Sequence, residues 1–326
     1  MARQRGAYCL SHVDDIDGIC SAALVKAATG AAVKLTDYDD FLDDLRKVPA
    51  GTRRLVICDI GFDESTADAV LDVLRRLSVS CVVTYIDHHG LGVELKGRLK
   101  AAVAELVWDD RECGSTLAYS MFFGGLSLRA KRLAAYGAVT DYRDQSPIAK
   151  AIIEGMSRHT LYLEATLLSN ALTEDRGIAM ELVDRLSTGA RPAQIPGVVE
   201  LAATQLAKAS AHDSFVAKHG ASKGGVGWVK VKETDHPAVF STIVEGVLGT
   251  DVGVAYREKS RGWYDVSLRS RSNMKFHMGE VVGEFCAKNG WTGGGHMHAA
   301  GCKVPKARMD DLLELLVSAT AASRAG

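Results

Sequence analysis

Two short runs, RRLVICDIG over residues 53–61 and SCVVTYIDHHG over residues 80–90, restrict the possible folds more than any other feature of this chain. Each is a nearly unbroken apolar stretch rich in β-branched residues. A strand with one wet face alternates polar and apolar positions. A run that is apolar on both sides must be covered on both sides, as strands of a parallel sheet are. The neighbouring segments supply the covers. GAYCLSH (6–12) reads as a strand and GICSAALVKAAT (18–29) as an Ala-rich helix. AAVKLTDY (31–38) reads as a further strand, and STADAVLDVLRRL (65–77) as a helix with Asp63 as its N-cap. Strands alternating with helices predict an α/β fold, a parallel sheet with helices on both faces.

From about residue 114 to 218 the apolar spacing turns helical, in GSTLAYSMFF, RAKRLAAYGAVTDY, SPIAKAIIEGM and TEDRGIAMELVDRLS. TGARPAQIPG (188–197) holds both Pro and Gly and breaks that run. These signals place an N-terminal domain over 1–190, a helical linker over 191–218 and a smaller α/β domain over 219–326. In the last part GWVKVKE, DVGVAYREKS and GWYDVSLRSRS read as strands, MGEVVGEFCAKNG as a helix closed by Gly290, and 306–322 as a final helix.

Composition narrows the function. The 326 residues hold 39 Lys and Arg against 40 Asp and Glu, a net charge of −1. A protein that tracks long nucleic-acid backbones usually carries a basic excess, so the substrate is expected to be short or the basic groups confined to a patch. No apolar run reaches the roughly 18 residues of a membrane helix, and the first residues lack an apolar signal segment. The seven cysteines stand singly, with no C-x-x-C pair. They read as small core hydrophobes in a reducing compartment, so a cytoplasmic location is expected.

The strand tips carry the chemistry. In parallel α/β sheets, ligands gather at the carboxyl ends of the strands. The first strand ends in SHVDDIDG, offering His12, Asp14, Asp15 and Asp17; the third offers Asp59; the fourth ends in Asp87-His88-His89; and a later helix ends GAVTD at Asp141. Taken singly, an Asp beside a Gly at a strand end is often a turn or helix cap. Taken together, converging carboxylates repel unless they are protonated or bind cations. Carboxylates with a minority of imidazoles suit manganese or magnesium rather than structural zinc. There are ligands enough for two ions about 3.5–4 Å apart, the clamp used for in-line attack on phosphorus, with Asp59 as the candidate bridge.

In this order, SHVDDIDGICSAAL, LVICDIG, YIDHHG and GAVTD resemble the motifs of the DHH phosphoesterases. SLRSRS followed by GGGHMHAAG resembles the signature of the DHH-associated C-terminal domain. The resemblance spans nearly the whole chain and points to its compact RecJ-like or nanoRNase-like branch. It implies His12, Asp15, Asp17, Asp59, His88 and Asp141 as metal ligands. Asp87 supports the site, and His89 faces the substrate phosphate. One extra residue stands between His12 and Asp-x-Asp-Gly here, which leaves Asp14 and Asp15 as rival first ligands.

The resemblance also implies that Gly293, Gly294, Gly295 and His296 cradle a substrate phosphate or terminal nucleotide. Without it, the glycines read equally well as a tight turn. Arg269 ends an alternating strand, and its guanidinium suits phosphate. The expected function is a two-metal phosphodiesterase, with two Mn2+ or Mg2+, cutting short single-stranded RNA or DNA to mononucleotides. Small-nucleotide phosphatase activity (on 3′-phosphoadenosine 5′-phosphate, for example) and cyclic-dinucleotide hydrolysis are alternatives. A non-catalytic nucleic-acid-binding protein is a third reading, from another class. The apolar faces of the mid-chain helices leave room for a homodimer.

Overall fold

The computed structural model describes residues 6–325 apart from residues 63, 126 and 261, so the N-cap expected at Asp63 lies outside the described residues. The chain divides into two compact units, Met1–Leu206 and Ala207–Gly326.

The first unit opens with β1 (Ala7–His12), α1 (Ile16–Thr29), β2 (Ala32–Thr36), α2 (Phe41–Arg46), β3 (Arg54–Cys58), α3 (Glu64–Ser78), β4 (Val82–Asp87), α4 (Val93–Ala102) and β5 (Glu105–Trp108). The five strands pair in the order β2-β1-β3-β4-β5, all parallel. Burial of both faces is visible residue by residue. On β3, Val56 and Cys58 pack with α1 residues such as Ile19 and Ala23, while Leu55 and Ile57 pack with α3 residues Val70, Leu71 and Leu74. Two separate apolar layers therefore clamp one sheet, which is why β3 and β4 read as continuous apolar runs. β5 escapes the sequence reading because only four residues pair, and all of them keep some exposure.

Helices α5 (Gly114–Phe123), α6 (Leu128–Thr140), α7 (Pro147–Ile153), α8 (Arg158–Glu174), α9 (Ala179–Thr188) and α10 (Val198–Ala207) follow. Leu117, Leu133, Tyr136, Leu168 and Leu182 join the α1 layer. The single helix read over TEDRGIAMELVDRLS is two. Asp175 ends α8 in an extended conformation, its carboxylate accepts the Gly177 amide, and a 3-10 turn precedes α9. An Asp side chain competes with helix continuation by offering a turn.

The second unit holds α11 (Ala209–His219), β6 (Ala221–Lys223), β7 (Val226–Lys230), α12 (Pro237–Leu248), β8 (Val252–Ser260), β9 (Trp263–Ser270), α13 (Met278–Asn289), β10 (Gly293–Gly295), β11 (Ala299–Pro305) and α14 (Met309–Ala325). Its six-stranded sheet runs β10-β11-β9-β8-β7-β6, with only β7 and β8 parallel. Val254, Val266, Leu268 and Val304 meet Val282 of α13 and Leu312 and Leu316 of α14 in its main core. All seven cysteines are buried as free thiols. Among the described residues no helix is long and apolar enough to cross a membrane.

Candidate metal centre

The carboxyl ends of β1, β3 and β4 bring their acidic and imidazole groups to one place. β1 ends at His12, and Asp15 is the N-cap of α1, its Oδ1 accepting the Gly18 amide at 2.8 Å. The other Asp15 oxygen lies 2.8 Å from His12 Nδ1. Burial acts to raise the Asp15 carboxyl. The charge and hydrogen bond of His12 outweigh it and hold that carboxyl well below the usual range. Asp14 Oδ1 pairs with Arg176 at 2.7 Å, while its Oδ2 stays 3.8 Å from His12 Nε2.

Asp17 sits in the first turn of α1 and is almost fully buried. Its Oδ2 accepts the Gly114 amide at 2.6 Å and its Oδ1 the Ser115 amide at 2.9 Å. A carboxylate is thus held on the otherwise unsatisfied first amides of α5, where the helix dipole favours negative charge.

Asp59 follows β3 with φ of 55°, and its amide donates to Ile86 O at 2.9 Å. A non-glycine residue in the left-handed region costs on the order of 1 kcal/mol or more and points to a constrained site. The other such residue among those described, Tyr142 at 56°, directly follows Asp141. Asp59 Oδ1 lies 3.0 Å from His88 Nε2, while its Oδ2 is buried with no hydrogen-bond partner. Burial, and then the charges of Asp17, Asp15, Asp141 and Asp87, push the Asp59 carboxyl far up.

β4 ends at Asp87, also fully buried, whose Oδ1 lies 2.7 Å from His89 Nδ1 and whose Oδ2 has no hydrogen-bond partner. Burial works to lower the His89 imidazole, but the charge and hydrogen bond of Asp87 raise it overall. His88 is held down at about 4 by burial and by neighbouring His89. It stays neutral near pH 7, with a lone pair to give. Its Nε2 is 3.8 Å from Asp17 Oδ2 and its Nδ1 is 3.8 Å from Asp141 Oδ2.

Among the described residues of the first unit, three ligand sets come within 4.8 Å internally, namely His12, Asp15 and Asp59; Asp17, Asp59 and His88; and Asp59, Asp87 and His89. Asp59 belongs to all three. Asp141 reaches the edge of this cluster through His88 and also approaches Arg143 at 3.9 Å. Buried carboxylate oxygens without donors, gathered with a neutral imidazole, fit hard divalent cations. His12, Asp15, Asp17, Asp59 and His88 would hold them.

In the second unit, residues 228–322 match the DHHA1 domain. The chain also matches the solved structure of a DHH-domain member of the s1p family of ribosomal proteins, with a TM-score of 0.69 and 18% identity, over 97% of this chain and 87% of that one. In fold the chain resembles DHH-domain proteins, and its second unit carries the DHHA1 match. RecJ from Thermus thermophilus, solved with Mn2+, matches 97% of the chain over 52% of its own length, with a TM-score of 0.65 and 19% identity. A pGpG-specific phosphodiesterase, PggH from Vibrio cholerae, matches 97% of the chain over 99% of its own, with a TM-score of 0.50 and 14% identity. At these identities the likeness is one of fold. No curated protein sequence matches the chain.

Within the DHHA1 domain, Gly293–Gly295 form the edge strand β10, antiparallel to β11, rather than a turn. Gly295 has φ of 150°, and a Cβ there would stand 2.3 Å from Ala299 O, so only glycine fits. The 296–298 turn then closes on α13, with the His296 carbonyl accepting the Gly279 amide at 2.9 Å. Arg269 pairs in register with Ala299, whose carbonyl accepts the His296 amide, so both belong to one end of this sheet. The Arg269 guanidinium turns back to donate to Leu268 O at 2.9 Å.

Several residues of this centre and its surroundings were not singled out from the sequence. Gly114 and Ser115 hold Asp17 through backbone amides, so the only signal was a Gly-Ser pair opening a helix in ECGST. Glu112 is buried and accepts from Thr116 Oγ1, Ser146 Oγ and the Ile148 amide, tying the start of α5 to the start of α7. Tyr38 follows β2, and its hydroxyl lies 3.0 Å from His89 Nε2.

Proposed function

We propose that this chain is a divalent-metal-dependent phosphodiesterase acting on short single-stranded oligonucleotides. One observation carries the reading: Asp59 is shared by three carboxylate–imidazole sets and keeps a buried oxygen with no hydrogen-bond donor. A position shared in this way suits a bridge between two cations, Mn2+ or Mg2+. Bound there, they would supply Lewis-acid polarisation of a phosphoryl oxygen and a lowered pKa for attacking water. The chain's own groups do the rest. His88, uncharged near neutral pH, offers its lone pair. His89, whose imidazole the charge and hydrogen bond of Asp87 raise, is proposed to donate from Nε2 to a phosphoryl oxygen as charge develops there. Arg269, His296 and the Gly293–Gly295 strand are proposed to hold the far phosphate or terminal nucleotide.

The solved RecJ exonuclease and the pGpG-specific phosphodiesterase, alike in fold, support phosphoester chemistry on nucleic acids and nucleotides. PggH matches along 99% of its length, and its substrate is a dinucleotide. That favours substrates of a few nucleotides and keeps small-nucleotide hydrolysis as the second reading. The test is a labelled five-nucleotide RNA with Mn2+, which should shorten to mononucleotides. Asp59→Asn should cut turnover by more than roughly a hundredfold and weaken Mn2+ binding. No turnover of RNA, DNA or cyclic dinucleotides would leave only a binding role.

A further inference from the structure

We propose that Tyr38 is a positioning residue that fixes the His89 imidazole, its phenol completing a hydrogen-bonded chain from Asp87 through His89. The inference rests on the phosphodiesterase reading for its catalytic consequence, but not for its geometry. The Asp87 carboxylate accepts from His89 Nδ1 at 2.7 Å, which places the ring hydrogen on Nδ1. A ring tethered at one nitrogen still rocks about that bond. The Tyr38 hydroxyl meets the opposite nitrogen, Nε2, at 3.0 Å. The two rings stand edge to face, with centroids 6.1 Å apart and planes at 87°.

Tyr38 is itself held by a built loop. Asp37 Oδ1 accepts the amides of Asp39 and Asp40 at 3.1 and 2.9 Å, and its Oδ2 takes Arg176 at 2.9 Å. The same guanidinium grips Asp14 at 2.7 Å, so one arginine ties the loop carrying Tyr38 to the loop carrying Asp15. The phenol ring also rests against His12, centroids 4.9 Å apart. Yet Tyr38 remains 51% exposed. It therefore forms an outer wall of the centre while touching one imidazole of the proposed metal set and the imidazole proposed to face the phosphate. A phosphoryl oxygen arriving at His89 Nε2 meets the phenol there and shares or takes over its hydrogen bond.

Tyr38→Phe keeps the ring and removes the hydroxyl. In metal-free protein with 15N-labelled histidine, the Nε2 resonance of His89, identified by its loss in His89→Gln, should move by several ppm. An unmoved resonance would overturn the proposal whatever the chain hydrolyses. With Mn2+ and the five-nucleotide RNA, Tyr38→Phe should lower kcat roughly five- to tenfold with KM nearly unchanged, the worth of one hydrogen bond. An unchanged kcat, or a Tyr38→Ala variant far worse than Tyr38→Phe, would also overturn it, the latter by making the ring the working part. A resonance that moves in a chain turning over no phosphodiester would uphold the positioning contact and sink the proposed function instead.

Discussion

Two carboxyl groups, one in each unit, are driven up by their surroundings for different reasons. For Asp59, four other carboxylates add to burial, and a cation is the natural relief. For Glu245, on α12, burial alone is the main cause. Arg271 and Arg269 oppose it, Asp251 adds to it, and the group ends at about 7 against an ordinary 4.5. Its Oε1 is buried without a hydrogen-bond partner. Between those two values the folded form binds more protons than the unfolded form, so stability falls as pH rises through that window. Glu245→Gln should remove this slope, raising stability at pH 8 by about 1–2 kcal/mol after allowing for solvent screening. Thermal melts of both proteins from pH 4 to 8 check it; parallel curves would exclude Glu245 as the cause.

At the scale of elements, the centre depends on how closely α6 passes α5 and α1. Gly137 of α6 stands where an added Cβ would lie 2.1 Å from Ser115 Oγ and 2.4 Å from Asp17 Oδ1. The helix carrying Asp141 therefore approaches the one whose amides hold Asp17 only because that position has no side chain. Gly137→Ala gains helix propensity but must push Asp17 off its two amide donors. Overpacking of this kind costs about 1–3 kcal/mol. The variant should unfold at lower urea concentration and, more tellingly, bind Mn2+ at least several-fold more weakly by titration calorimetry. Lost stability with intact Mn2+ affinity would separate Gly137 from the metal centre. Glu112 works in the same layer, since its three accepted hydrogen bonds fix the start of α7 against the start of α5.

For the whole molecule, each unit encloses its own core, the first two layers about a parallel sheet and the second two clusters on a mixed sheet. The proposed cations touch only the first. A ligand that binds the folded form alone stabilises it by roughly 2.7 kcal/mol at a hundred times its Kd. For a unit of this size that is roughly 5–10 °C. Calorimetry of the full chain after chelation should show the transition of the first unit rising by that amount on adding Mn2+, with the second unit's transition unmoved. In Asp59→Asn the rise should vanish. An equal rise of both transitions would mean that the cation binds elsewhere.

The α/β class, the parallel sheet and the burial of both its faces were set by local sequence, because a strand covered twice must be apolar at nearly every position, as residues 55–58 are and residues 82–86 are but for Thr84. The same logic put Asp15, Asp17, Asp59 and Asp87 at one edge, since strands running one way end on one side. Which oxygen meets which donor was decided only by tertiary packing. Asp14 and Asp15 are adjacent and chemically identical, yet Asp15 lies 2.8 Å from His12 whereas Asp14 lies 3.8 Å from it and is drawn to Arg176, far along the chain. The amides under Asp17 belong to a helix nearly a hundred residues away and leave no mark in side-chain chemistry. Tyr38 read as the last residue of a strand; β2 ends at Thr36, and only the closed chain set the Tyr38 hydroxyl on His89. Hydrophobic periodicity is a property of a segment, whereas hydrogen-bond partnership is a property of the closed chain.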